Sequence, residues 1–223
     1  VLFVFVIRNY FVNNLIFFII RVIIFWKTVF ERSVIFVYTD YVLSLLESLC
    51  YANGTSGDEK EVALFASEKL SEFMDVSVDK FGNVIGRNIS EGTHFLLDAH
   101  IDRIGLVVTA ITDEGFLKVG ACGGIDVRTL DASEVIVYGT EPVFGVISAI
   151  PPHLTKSDDN KASDISDIII DIGMDKETAE KYITPSDRVI VKPQFNKLLS
   201  SRVTGTALDD RAGVASLLLA CKI

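Results

Sequence analysis

Phe95-Leu96-Leu97-Asp98-Ala99-His100-Ile101-Asp102 is the stretch on which the fold turns. Its first five residues form a mostly apolar run suited to a buried strand. His100 and Asp102 follow where such a strand would end. Upstream, Val42, Leu45, Leu46 and Leu49 recur at helical spacing. Asn53 to Gly57 reads as a loop, and Ser56 with Glu59 three residues on reads as a capping box. Val62, Phe65, Ala66, Leu70 and Phe73 line one face of the helix expected next. Val76 to Lys80 alternates, Phe81-Gly82-Asn83 turns and Val84 to Gly86 returns, which predicts a hairpin.

Downstream of Asp102 the pattern changes to short β-segments at Leu106–Ile111, Phe116–Val119, Val135–Tyr138, Val143–Ala149 and Ile168–Asp171. A short helix at Lys176–Tyr182 interrupts them, and Arg188–Val191 closes the region. Strands this closely spaced favour a small barrel or sandwich. Arg202 to Leu208 then leads into Asp209-Asp210-Arg211-Ala212-Gly213 and an apolar helix, Val214–Ala220. The switch and its reversal predict a mostly β insertion between two parts of one α/β domain. The last helix runs to Ile223 with no Gly, Asn or Pro to end it, and little of the chain is left for its apolar face, which reads as an interrupted domain.

The formal net charge of -9 and pI near 4.8 argue against nucleic acid or an anionic membrane as partner. Cys50, Cys122 and Cys221 are sparse, odd in number and without metal-ligand spacing, which fits a reducing, cytoplasmic setting. The mean hydropathy of +0.40 is inflated by residues 1–39, rich in Phe, Ile and Val. That segment has three readings: a membrane anchor, a genuine extension, or upstream A/T-rich sequence read through in frame. Arg8, Asn9, Asn13, Asn14 and Arg21 interrupt every window of about 20 residues long enough to span a bilayer. The third reading is preferred, because A/T-rich sequence translates into Phe, Ile, Asn and Tyr. Residues 1–39 are therefore set aside from the fold. No internal repeat or low-complexity linker follows them.

Chemistry concentrates in two segments. On extended chain, residues i and i+2 point the same way, so Asp102 could orient the His100 imidazole and set its tautomer. Asp209 and Asp210 open an apolar helix, where one Asp is well explained as an N-cap. A second carboxylate there could instead bridge two divalent ions. Blander readings suffice elsewhere: a solvent-facing His94, a rigid loop at Pro151-Pro152-His153, a solvated tip from Lys156 to Lys161. Gly120 to Gly124 lacks the strand-turn-helix setting and the Lys of a phosphate loop.

In order, Ser56–Val62 (Ser-Gly-x-Glu-x-x-Val), Val78–Asn83 (Val-Asp-x-x-Gly-Asn), Ala99–Gly105 (Ala-His-x-Asp-x-Ile-Gly) and Ala207–Gly213 (Ala-Leu-Asp-Asp-Arg-Ala-Gly) resemble the glutamyl aminopeptidase (TET) family of metallopeptidases. Gly123–Arg128 and Pro151–Leu154 resemble further family stretches. The resemblance implies a zinc-peptidase-like α/β catalytic domain, here incomplete, in parts at 40–102 and 198–223. Between them, 103–197 would be an inserted β-barrel dimerisation domain. It implies peptide substrates, a hollow homo-oligomer, and two divalent metal ions, zinc or cobalt, in the complete enzyme. His100 would be a ligand of one metal, Asp209 the carboxylate bridging both, and Asp102 the catalytic-site partner of His100. Asp210 takes no metal role, and a cis peptide is implied after Asp209. The family's Glu-Glu pair, a further acidic ligand and a late His would lie beyond Ile223, so the chain as it stands is expected to be inactive. The alternatives are a non-catalytic β-barrel interaction module and, from endoglucanase labels within the family, a glycosidase.

Overall fold

In the computed structural model the described residues are 2–8, 32–88, 94–148 and 164–223. The stretches at Pro151–Leu154 and Lys156–Lys161, with His153, lie outside them, as does the side chain of His94. The chain divides into two compact units, Val1–Gly54 with Glu59–Ile101 and Phe195–Ile223, and Thr55–Asp58 with Asp102–Gln194.

The first unit is built on a four-stranded mixed sheet. Its strands are β1 (Leu2–Arg8), β2 (Asp75–Val78), β3 (Val84–Asn88) and β4 (His94–His100), in the order β2-β3-β1-β4. β2 and β3 are the expected hairpin. Asp79 closes its turn, its carboxylate accepting from the Phe81 and Asn83 amides at 2.8 and 2.9 Å and from Asn83 Nδ2 at 2.8 Å. β1 is a correction to the reading that set residues 1–39 aside, because it pairs parallel to β3 and antiparallel to β4. An unbroken apolar run too short for a bilayer is still long enough for a strand paired on both edges.

Helices α1 (Arg32–Tyr51) and α2 (Lys60–Ser71) contribute Leu45, Leu46, Leu49, Val62, Ala66 and Leu70 to one buried cluster with Val84, Ala99 and Ile101. The final helix α4 (Leu208–Lys222) joins it through Val214, Ala215 and Leu218. The expectation that this helix lacks a partner is thereby corrected. α1 begins ten residues before Val42, the first apolar position assigned to it, and α4 packs on α1 and on β4. Phe195–Leu198 (β11) and Arg202–Gly205 (β12) form a separate antiparallel pair before α4.

The second unit is a closed barrel of β5 (Gly105–Ile111), β6 (Leu117–Cys122), β7 (Glu134–Tyr138), β8 (Pro142–Ile147), β9 (Ile169–Asp171) and β10 (Arg188–Val191). Each strand lies where alternation placed it, to within a few residues. On β8 the inward positions are Val143, Gly145 and Ile147, while Pro142, Phe144 and Val146 face out. Helix α3 (Lys176–Tyr182) buries Ala179 in the barrel's core cluster and is capped by Asp175, which accepts from the Thr178 amide at 2.8 Å. None of these strands joins the first unit's sheet. The α/β fold with an inserted barrel is thus the architecture of the chain.

Candidate metal centre

His100 is the last residue of β4. Ala99 and Ile101 on either side are buried in the core, so alternation turns the imidazole outward, where its side chain is 44% exposed. Asp209 arrives from the other end of the unit's sequence. Ala207 adopts a left-handed conformation (φ 57, ψ 34), Asp209 is extended (φ -89, ψ 108), and regular helical geometry begins only after Asp210. The Asp209–Asp210 peptide is cis, as the resemblance implies. Asp209 Oδ1 lies 3.1 Å from His100 Nε2, across 109 positions of sequence.

These two donors suit a divalent ion. An imidazole nitrogen and a carboxylate oxygen bound to one tetrahedral zinc at about 2.0–2.2 Å would stand roughly 3.3–3.6 Å apart. The observed gap is a few tenths of an ångström short of that. Both side chains are exposed enough, at 44% and 96%, to open by small rotations. Among the described residues no group of three or more His, Cys, Asp or Glu is gathered around a common point. The site therefore offers a pair of ligands.

Asp210 does a different job from its neighbour. Its Oδ1 accepts from the Gly213 amide at 3.1 Å, so it is the N-cap of the regular helix. Gly213 makes room for it, since a Cβ there would meet both Asp210 carboxylate oxygens at 2.5 Å. Arg211 points inward and is wholly buried, and its Nη1 donates to the carbonyl of Leu49 and, at 2.7 Å, to that of Ala52. Those carbonyls close the C-terminal end of α1, the negative pole of that helix. Gly54, just beyond, has no space for a side chain: a Cβ would stand 2.6 Å from Arg211 Nη2 and 2.6 Å from Val62 Cγ1. Sequence reasoning passed over Arg211 and Gly54. The available signal was a lone guanidinium at the head of an otherwise apolar helix.

Asp102 belongs to the second unit, where its Oδ2 accepts a hydrogen bond from Ser56 Oγ. The start of α2 overturns the reading of Ser56 and Glu59 as a capping box. α2 begins at Lys60, after Glu59, with no side-chain cap. The Ser56 hydroxyl, three residues before the N-cap position Glu59, is engaged by the Asp102 carboxylate. The Ser56 backbone is pinned too. Its amide donates to the Arg103 carbonyl at 3.2 Å, and its carbonyl accepts from Arg188 Nε at 3.2 Å and Cys122 Sγ at 3.3 Å.

The profile of the M42 glutamyl aminopeptidases matches residues 82–223. The chain belongs to this family. A lysyl aminopeptidase from Pyrococcus furiosus is 31% identical over 185 residues, covering 80% of this chain and 54% of that protein. Among solved M42-like structures, an aminopeptidase from the archaeon Desulfurococcus kamchatkensis is 31% identical with a TM-score of 0.75, over 83% of this chain and 52% of that one. The TET1 peptidase of Pyrococcus horikoshii, described as assembling into a tetrahedron or a large octahedral shell, is 35% identical with a TM-score of 0.72. That match covers 81% of this chain and 56% of the other. The chain thus spans about half the length of the M42 relatives it matches.

Proposed function

We propose that this chain belongs to a metal-dependent aminopeptidase that removes N-terminal residues from peptides, and that His100 and Asp209 are two of the metal ligands. The observation that carries the reading is the 3.1 Å approach of His100 Nε2 to Asp209 Oδ1, in a chain of the M42 family. Zinc or cobalt, when bound, supplies Lewis acidity toward a scissile carbonyl and toward water, and a second ion would share the Asp209 carboxylate. For His100 Nε2 to offer a lone pair, the ring proton must sit on Nδ1. Asp102, two residues further on and itself held by Ser56, is assigned the task of keeping that tautomer.

Two donors are one fewer than the three protein ligands that catalytic zinc keeps. The isolated chain is therefore expected to bind metal weakly and to leave aminoacyl-p-nitroanilides uncleaved. Homo-oligomerisation through the barrel and a cytoplasmic setting complete the proposal. Among the described residues no helix is long and apolar enough to cross a membrane.

The test is ligand binding to the cobalt-supplemented chain. Leucine hydroxamate carries the amine and carbonyl oxygen of an N-terminal residue, so it should bind only with cobalt present and only while His100 is intact. Equal binding by His100→Ala would sink the proposal. Metal-independent binding of a cello-oligosaccharide would favour the glycosidase alternative.

A further inference from the structure

Asp209 poses a problem of placement. Its side chain is 96% exposed, so apart from the 3.1 Å approach to His100 little packing determines where the carboxylate goes. Its position must come from the backbone. Upstream, Leu208 is only partly buried and the chain passes through a left-handed turn at Ala207. The nearest fully buried side chain is Arg211, two residues downstream.

That side chain is anchored on a different element. The guanidinium reaches across to the end of α1 and donates to the carbonyls of Leu49 and Ala52, 162 and 159 positions away. Arg stays charged when buried, and a helix C-terminus is where a buried cation is best compensated. The chain closes over it at Gly54, with no room for even a methyl group. On the solvent side Asp210 caps the helix and Gly213 accommodates the cap. The Asp209 backbone is thus held by one residue locked into the core and one locked onto the helix.

We propose that Arg211 is a positioning residue for the Asp209 carboxylate, clamping the head of α4 to the tail of α1 so that Asp209 meets His100 in ligand geometry. The assignment rests on the metal-ligand reading of His100 and Asp209. Arg211 touches neither metal nor substrate in this role.

The test is Co(II) binding by the full chain, read by visible absorption and equilibrium dialysis, with thermal unfolding recorded on the same samples. Arg211→Met keeps an unbranched apolar stem and removes the clamp. Loss of an orienting partner behind a metal ligand typically weakens binding about 10–100-fold, and a fall of that size is expected here. Leu218→Ala is the control, since Leu218 is fully buried in the same cluster. It should lower stability and leave Co(II) affinity unchanged. If Arg211→Met does not fold, Gly54→Ala carries the test, because it keeps the charge and displaces the guanidinium; it too should weaken binding. Wild-type affinity in folded Arg211→Met or folded Gly54→Ala overturns the assignment, and so does an equal loss of affinity in Leu218→Ala. Wild-type binding that His100→Ala fails to reduce would overturn the underlying metal reading instead.

Discussion

Replacing Gly213 with Ala should have different consequences depending on whether Asp210 is present. In a helix interior Ala is favoured over Gly by about 1 kcal/mol. At this position the new Cβ would meet both Asp210 carboxylate oxygens at 2.5 Å, so the side chain must swing away and release the Gly213 amide. Losing an Asp N-cap costs about 1 kcal/mol, within a range of about 0.5–2. The two effects nearly cancel, and Gly213→Ala alone should change stability by roughly zero. Asp210→Ala alone should cost about 1 kcal/mol. In that background there is no carboxylate to collide with, and adding Gly213→Ala should recover about 1 kcal/mol. The cycle therefore has a coupling energy of about 1 kcal/mol, well above the few tenths expected for independent sites. Urea unfolding followed by circular dichroism measures it. Equal stabilisation by Gly213→Ala in both backgrounds would show that Asp210 does not cap α4.

Asp209→Ala is expected to leave stability within about 0.5 kcal/mol, because the side chain is almost wholly exposed, while lowering Co(II) affinity. Thermal melts and dialysis on one preparation separate it from Asp210→Ala. In the barrel, Gly115 has φ +91 and its Cβ would stand 2.0 Å from the Met174 carbonyl oxygen, so Gly115→Ala should cost more than about 2 kcal/mol. Unchanged urea unfolding would disprove that close approach. Burial pushes the Cys221 thiol up to about 11, so its alkylation by iodoacetamide should be slow at pH 7–8 and accelerate as pH approaches that value. Peptide mapping that finds fast labelling at neutral pH would contradict the burial. Asn83 holds the Asp79 carboxyl below its ordinary range, and Arg128 does the same for Asp126. A depressed folded pKa gives stability that is present above about pH 4, the unfolded value, and lost as pH falls through the folded one. Asn83→Ala should make the acid limb of a stability–pH profile shallower.

What could be read in advance divides along the range of the interactions. The barrel strands were legible because alternation is a property of four or five consecutive residues. The β2–β3 hairpin was legible from Phe81-Gly82-Asn83 for the same reason. Ser56 misled because the capping-box spacing is local, whereas its actual partner, Asp102, is 46 positions away. Arg211 was visible as a lone guanidinium, but its partners were illegible: nothing near it in sequence announces the carbonyls of Leu49 and Ala52. Residues 1–39 were judged by composition and by the length a bilayer requires, a test that a seven-residue strand cannot pass or fail. The meeting of His100 with Asp209 came from recognising an ordered set of motifs. Neither segment alone would have specified it.

The most direct measurement is the anomalous scattering of a crystal soaked in a cobalt or zinc salt. If His100 and Asp209 are ligands of one ion, an anomalous peak should stand about 2.0–2.2 Å from both His100 Nε2 and Asp209 Oδ1. A well-ordered, metal-soaked crystal in which those two atoms remain directly hydrogen-bonded, with no peak between them, would contradict the account.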